Sequence, residues 1–297
     1  MPMKLHIEYS HAIPLEAFQW TPSSMLEPFH THQSLEIGVC LSGSGVFYFE
    51  QKRYPVSPGD VFLVNQTELH IAQADPDDPC SFIFVNFDPG ILLVEDEKLL
   101  LPYSYQSDQF QNHIAADTEL AKMILPRMKI MLEEMKTQEI GYLSRVRAVL
   151  IEIHVLFLRN YMNQISSDQW RRLNESYREL RIILHFIHEQ YTSDIQLADA
   201  AKLVGWSSGR TSRFFRECMG QSLKDYIQAL RIREVTKKLV STYDPISELC
   251  FDCGFQSMAS FYRAFQKVTG MSPKSYREKF GLGNVFENWE EDNEKRM

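Results

Sequence analysis

Ala201-Lys-Leu-Val-Gly205-Trp206-Ser207-Ser208, Arg213-Phe214-Phe215 and Gly220-Gln-Ser222-Leu-Lys224-Asp-Tyr226 recur as Cys250-Phe-Asp-Cys-Gly254-Phe255-Gln256-Ser257, Arg263-Ala264-Phe265 and Gly270-Met-Ser272-Pro-Lys274-Ser-Tyr276. The offset is 49 residues through the Gly–aromatic pair and 50 from the arginine onward, so the second copy carries one extra residue between them. A period near 50 marks a duplicated supersecondary unit. Each copy has the layout of a helix-turn-helix: a short helix with a small residue (Ala201, Cys250), then a glycine suited to a left-handed C-cap. A buried aromatic follows, and Ser208 or Ser257 is placed to N-cap a second helix. Phe214, Phe215, Phe261 and Phe265 read as the core face of those second helices. Between the copies, Leu223 to Val240 reads as one long helix with Tyr226, Ile227, Leu230, Val235 and Leu239 turned inward.

Charge separates this half from the rest. Residues 176–280 hold 16 Lys and Arg against 11 Asp and Glu, a net +5, while the remainder nets −13 within a total of −8. Such asymmetry suggests that one part of the chain meets a polyanion. At 297 residues, 44% hydrophobic and 24% charged, the composition is that of a globular chain long enough for two domains, and it excludes disordered, collagenous and disulfide-scaffold classes. No run approaches a membrane span, and the first residues lack the layout of a signal peptide. Five cysteines without framework spacing fit a reducing compartment, so the expected location is cytoplasmic. Cys250 and Cys253 form a C-x-x-C pair, but no second pair lies nearby and the repeat puts both at core positions. They are therefore read as structural.

The N-terminal part reads differently. Ser34–Leu41, Gly45–Glu50, Val61–Val64 and Ser81–Phe87 are β-rich runs at the spacing of a sandwich or barrel. From about 117 the apolar period changes to 3 and 4: Leu120, Ile124, Leu125, Met128, Met131, Leu132 and Met135, then Leu143, Val146, Leu150, Ile153 and Phe157. Pro126 is expected to kink or restart the first helix. The expected organisation is multi-domain α+β: a β-barrel over 1–115, a helical pair over 116–163, a linker over 164–176, an all-α domain of two helix-turn-helix units over 177–281, and a frayed acidic tail over 282–297. The helical pair covers the barrel or forms the surface for a homodimer.

Gly254-Phe255, Phe261, Arg263, Phe265, Gly270, Ser272-Pro273 and Tyr276-Arg277 resemble the signature of the AraC family of bacterial transcription regulators, a resemblance that covers about 195–280. It implies two recognition helices entering successive major grooves of double-stranded DNA about one helical turn apart, roughly 34 Å. The outward positions would be Gly209, Arg210, Ser212 and Arg213 in the first helix, and Met258, Ala259, Tyr262 and Arg263 in the second. Arg213 and Arg263 are candidates for bidentate contacts to guanine or for phosphate contacts. Arg210, Lys224 and Lys274 are candidates for phosphate. Gly209 is smaller than the side chains usual at its position, and Thr211 stands where an apolar core residue is usual.

The spacing His30-x-His32-x-x-x-Glu36, six residues before Gly43, resembles the first motif of the cupin barrel. On one extended strand His30, His32 and Glu36 would share a face. His70, or the turn at Gly59, would add to the set from another strand. Three imidazoles and a carboxylate suit a divalent metal, whereas AraC-type sensor domains share the barrel without metal chemistry. The expectation is therefore a small-molecule pocket, suited to an effector such as a sugar, lined by His30, His32, Glu36, His70, Tyr48 and Trp20, with no catalysis and no cofactor. The resemblance implies an effector-responsive activator of a catabolic, carbohydrate-type operon that also meets RNA polymerase. The alternatives are a cupin metalloenzyme joined to a DNA-binding domain, and an effector-independent regulator with a closed barrel.

Overall fold

The structure, a computed structural model, describes residues 3–281 apart from 6, 8, 10–12, 33, 51, 67, 94, 104–110, 165 and 220; the side chains of 3–5, 167 and 169–177 and the expected acidic tail lie outside the described residues. The chain forms two compact units whose principal boundary falls between Arg178 and Glu179.

In the first unit the strands are β1 (Met3–Leu5), β2 (Leu15–Trp20), β3 (His30–His32), β4 (Leu35–Ser42), β5 (Gly45–Phe49), β6 (Lys52–Val56), β7 (Val61–Val64), β8 (His70–Ala74) and β9 (Ser81–Phe87). A short helix α1 (Gly90–Leu93), a 3-10 segment at Glu97–Tyr103 and β10 (His113–Ile114) precede two long helices, α2 (Glu119–Thr137) and α3 (Tyr142–Gln164). The strands form two five-stranded sheets, β1-β3-β8-β5-β6 and β10-β7-β4-β9-β2. This corrects the expected barrel. Closure requires a hydrogen-bonded ladder that returns on itself, whereas here β1 and β6 end one sheet and β10 and β2 end the other. The result is a sandwich.

Strand β4 shows why its sequence does not alternate. Leu35, Ile37 and Val39 pack with the helices, while Cys40 joins an aromatic core of Phe47, Phe49, Phe62, Phe82 and Phe84 between the sheets. A strand covered on both faces reads as a continuous apolar run. On the inner face Gly38 lies opposite Phe84, and a Cβ on Gly38 would come within 2.4 Å of that ring.

The helical pair covers the outer face of the second sheet. Ile124, Met128, Met131 and Leu132 of α2 and Val146, Leu150, Ile153 and Phe157 of α3 share one core with Leu15, Ile37, Val85 and Phe87. The apolar stripes read as a dimer surface are thus buried within the unit. Helix α2 runs unbroken through Pro126, which lies on its exposed side. There the carbonyl that proline leaves without a donor can bond water, so no restart is required.

The second unit is helical: α4 (Ser167–Gln190), α5 (Leu197–Leu203), α6 (Ser208–Met219), α7 (Leu223–Ser241), α8 (Ile246–Asp252), α9 (Met258–Thr269) and α10 (Pro273–Phe280). The segment expected as a linker is helical from Ser167 onward. Helices α5–α6 and α8–α9 are the two helix-turn-helix pairs, joined by α7, whose Tyr226, Ile227, Leu230, Val235 and Leu239 are buried. Gly205 and Gly254 take φ of 67° and 89°, the left-handed conformation that ends each first helix. Cys250 and Cys253 are buried in the second core with Phe255, Phe261 and Phe265.

Candidate functional site

Helices α6 and α9 each have twelve residues, and their starts correct the sequence alignment. Ser257 caps α9 by accepting from the Ser260 N–H, but its counterpart is Ser207, whose Oγ accepts from Arg210 N–H at 3.3 Å. Ser208 is already the first helical residue. The extra residue of the second copy is therefore Gln256, in the turn after Phe255. From the caps onward the copies align at an offset of 50, which places Arg213 and Arg263 at the same helical position.

Gly209, Arg210, Arg213, Ala259, Tyr262 and Arg263 are exposed, and Ser212 is half-buried. Met258 departs from the expected outward set: it is half-buried and packs on the second core. The Arg210 guanidinium lies 4.0 Å from the centre of the Trp206 ring, and Trp206 meets Phe214 edge-on at 5.0 Å. Thr211 is fully buried, and its hydroxyl donates to the Ser207 carbonyl at 3.1 Å. A buried hydroxyl with an internal acceptor is tolerated at a core position. Lys224 and Lys274 are exposed in the first turns of α7 and α10, behind the matching caps Ser222 and Ser272.

In the first unit a cavity of about 430 Å³ opens between the sheets. His30, His32, Phe47, His70 and Ala72 line it from one sheet, and Phe18, Trp20, Glu36, Phe84 and Asn86 from the other. The expected set is brought together with one exception. Tyr48 alternates with Phe47 and Phe49 and is absent from the lining; its hydroxyl donates to Gln73 Oε1 at 3.2 Å. Glu36 arrives by another route than expected, because the chain changes sheet between β3 and β4, so its carboxylate meets the histidines from across the sandwich. Gly59 lies in the turn before β7, against Ala116, and offers no side-chain donor.

The His30 ring centre lies 4.5 Å from that of His70, and His32 lies 4.8 Å from His70. His32 Nδ1 is 3.0 Å from the Ser34 carbonyl and His70 Nδ1 is 3.0 Å from the Glu68 carbonyl. A carbonyl only accepts, which places the His70 ring proton on Nδ1 and leaves a lone pair on its Nε2, whereas the Ser34 hydroxyl, 2.9 Å from His32 Nδ1, can donate to or accept from that nitrogen. His70 Nε2 and Asn86 Oδ1 are buried without a hydrogen-bond partner. His32 Nε2 stands 3.3 Å from Glu36 Oε2, close enough to pair with that carboxylate. Burial holds His70 neutral, its pKa down at about 4. Burial, then the proximity of His32, also lowers His30. For Glu36 burial works upward, yet the surrounding imidazoles, His32 foremost, bring its carboxyl below the ordinary value.

Phe18, Phe47, Phe84 and Asn86 are lining residues that sequence reasoning missed. Asn86 had a signal: in Ser81–Phe87 it shares a pleat with Phe82 and Phe84, a lone amide on an apolar face. Its cross-strand partner is Glu36.

A ligand-sized cavity in one unit and paired helix-turn-helices in the other define a two-domain DNA-binding transcription regulator. Residues 15–137 match the family model described as an AraC-like ligand binding domain, and residues 171–279 match a helix-turn-helix domain. The chain is 25% identical over 261 residues to the uncharacterized HTH-type transcriptional regulator YdeC of Bacillus subtilis (strain 168), covering 84% of this chain and 86% of that protein. It is 24% identical over 263 residues to an uncharacterized HTH-type transcriptional regulator of Staphylococcus aureus (strain COL), covering 85% of this chain but 32% of that longer protein. Among solved structures, the C-terminal domain of AraT, a response regulator from Geobacillus stearothermophilus, is similar at 26% identity and TM-score 0.34, covering 35% of this chain and 87% of that one. ToxT from Vibrio cholerae O395 is similar at 10% identity and TM-score 0.39, covering 90% and 98%. The chain belongs to the AraC family of transcription regulators.

Proposed function

We propose that the protein is an effector-responsive activator that reads a paired DNA site through α6 and α9. The observation that carries the reading is the equivalence of Arg213 and Arg263, exposed at the same position of two helices that each begin after a capping serine. Both arginines are assigned to base edges. Arg210, stacked on Trp206, is assigned to phosphate, as are Lys224 and Lys274, each beside the capped N-terminus of a helix. Gly209, Ser212, Ala259 and Tyr262 would complete the contact surface, with Met258 contributing only through its exposed part.

The cavity of the first unit is the proposed effector site. Its aromatic walls and few inward polar groups suit a small hydroxylated molecule such as a sugar, whose hydroxyls can donate to Glu36 and Asn86. Effector binding would bias an equilibrium between arrangements of the DNA-binding units, through contacts that differ between the states. A homodimer would use the outer sides of α2 and α3, where Met123 is 41% exposed. RNA polymerase in the cytoplasm, at a catabolic operon, is the proposed downstream partner.

The test is retention of sheared genomic DNA from the protein's own organism, followed by sequencing. Enrichment of a few promoters carrying paired sites about one helical turn apart is expected. No enrichment at low salt, with cell extract supplying small molecules, would overturn the reading.

A further inference from the structure

We propose that Trp206 is a positioning residue for DNA: its ring holds the Arg210 guanidinium as a phosphate clamp at the start of α6, a device that the first recognition helix has and the second lacks. The proposal rests on reading α6 as a recognition helix and adds how that helix is seated on the DNA backbone.

Three observations support it. The first is the geometry of the stack. The Trp206 backbone N–H donates to the Ala201 carbonyl at 3.0 Å, at the left-handed turn that ends α5. The ring abuts Phe214 edge-on, so the indole is fixed from two sides. Arg210 lies one turn before Phe214 on the same side of α6, and its guanidinium carbon stands 4.0 Å from the indole centre. A guanidinium laid over a ring keeps its N–H donors in its own plane, pointing past the ring edge.

Second, those donors are uncommitted. Among the described residues no carboxylate or carbonyl accepts from the Arg210 side chain. At 3.6 residues per turn Arg210 stands about 60° round from Arg213, on the flank of the outward face, where a groove wall would pass. Gly209 beside it has no side chain, and nothing lies within 4 Å of where its Cβ would be. A DNA strand can therefore approach this turn closely. A planar fork suits the paired oxygens of a phosphate, and holding it in place beforehand saves rotamer entropy otherwise lost on binding.

Third, the stack is not part of the repeat. At the offset of 50, Ser260 stands where Arg210 does, and its hydroxyl donates back to the Ser257 carbonyl at 2.8 Å. The aromatic of that turn, Phe255, is buried. The arginine at its ring comes instead from α7: Arg231, 5.9 Å from the ring centre and committed to the carbonyls of Tyr191 and Ser193. The second copy thus forms the same pair of helices with a serine at this position. Folding does not require the arginine; what it adds lies on the solvent side, where DNA is met.

The experiment uses the full-length protein and a duplex carrying one paired site recovered from genomic DNA, with affinity measured over a range of salt. Arg210→Ala should weaken binding about 10-fold at low salt and lower the slope of log affinity against log salt by about 1. Trp206→Leu keeps the charge yet should weaken binding about 3-fold or more, and Trp206→Phe, which keeps a ring, should restore most of that. In the Arg210→Ala background Trp206→Leu should change affinity no further, because the two residues act as one. Arg210→Lys leaves the packing of Trp206 on Phe214 untouched and keeps the charge without the planar face, so it should lose about as much as Trp206→Leu. Ethylation of one phosphate in the first half-site should block the wild type and Trp206→Phe but not Arg210→Ala. Circular dichroism confirms that each variant is folded. Additive losses from Trp206→Leu and Arg210→Ala, or wild-type affinity in Arg210→Lys, overturn the proposal and leave the regulator reading intact. A wild type that retains no paired site defeats that reading, and the clamp falls with it.

Discussion

Arg231 and Gly254 close on the same three-residue loop. The Arg231 guanidinium donates from Nε to the Tyr191 carbonyl and from Nη2 to the Ser193 carbonyl, both at 2.7 Å. A Cβ on Gly254 would lie 2.6 Å from the backbone of Thr192, the residue between them. The linking helix and the turn of the second helix-turn-helix are thus both fitted to the loop that ends α4, which ties the two reading units together through backbone contacts.

This predicts unequal effects of one substitution at two equivalent glycines. Gly205→Ala meets only the left-handed backbone penalty, about 1 kcal/mol, because no atom lies within 4 Å of its Cβ position. Gly254→Ala adds a clash with backbone and should cost clearly more, about 2–4 kcal/mol in denaturant unfolding. Equal losses would show that the Thr192 contact does not constrain the fold.

Arg213→Ala should reduce specific DNA affinity by about 1–3 kcal/mol and relax preference at one base position. Binding-site selection with the variant measures this directly. A uniform loss on all sequences would reassign Arg213 to phosphate.

Gly38→Ala should drive the Phe84 ring from its place over β4. A stability loss of about 1–3 kcal/mol is expected from overpacking, together with a reshaped cavity wall. Thermal-shift titration of candidate effectors should show weakened binding, while DNA retention without effector stays at the wild-type level. Unchanged effector binding would place the ligand away from Phe84.

His154 gives a pH dependence. It is fully buried, donates from Nδ1 to the Leu150 carbonyl at 2.7 Å and accepts from the Tyr103 hydroxyl at 3.1 Å. Burial lowers its pKa from 6.5 to about 4. Between these values the unfolded chain takes up a proton that the folded chain refuses, so stability falls as pH drops from 6.5 toward 4, by about 3 kcal/mol from this group. Above pH 6.5 both states are neutral and the contribution is flat. The difference between the stability–pH curves of wild type and His154→Gln isolates the effect, and parallel curves would contradict it.

Much of this was legible in the sequence. The repeat located both helix-turn-helix pairs because their signals are local: glycines at left-handed positions, capping serines, and aromatics at helical spacing. Ser208 was read for Ser207 because a single inserted residue has no fixed place in an alignment of two copies, and Met258 was read outward because helical spacing alone does not show that it packs on the second core. The runs at 34–41, 45–50, 61–64 and 81–87 all became strands, but β2, β3, β6 and β8 went unread: β3 and β6 carry few apolar residues, and polar residues interrupt those of β2 and β8.

What the sequence determined by itself, then, was the kind of those elements with strong local signals and the tandem architecture of the second unit, since caps, turns and periodicity act over a few residues. The tertiary structure decided whether the strands close into a barrel, which side Tyr48 faces, and that Glu36 reaches the histidines from the opposite sheet. It also joined Asn86, Phe18 and Phe84 to the same cavity. These depend on strand pairing between residues as far apart as Leu15 and Phe87, and pairing is set by which faces can be buried together, a property of the assembled sandwich that no short window of sequence contains.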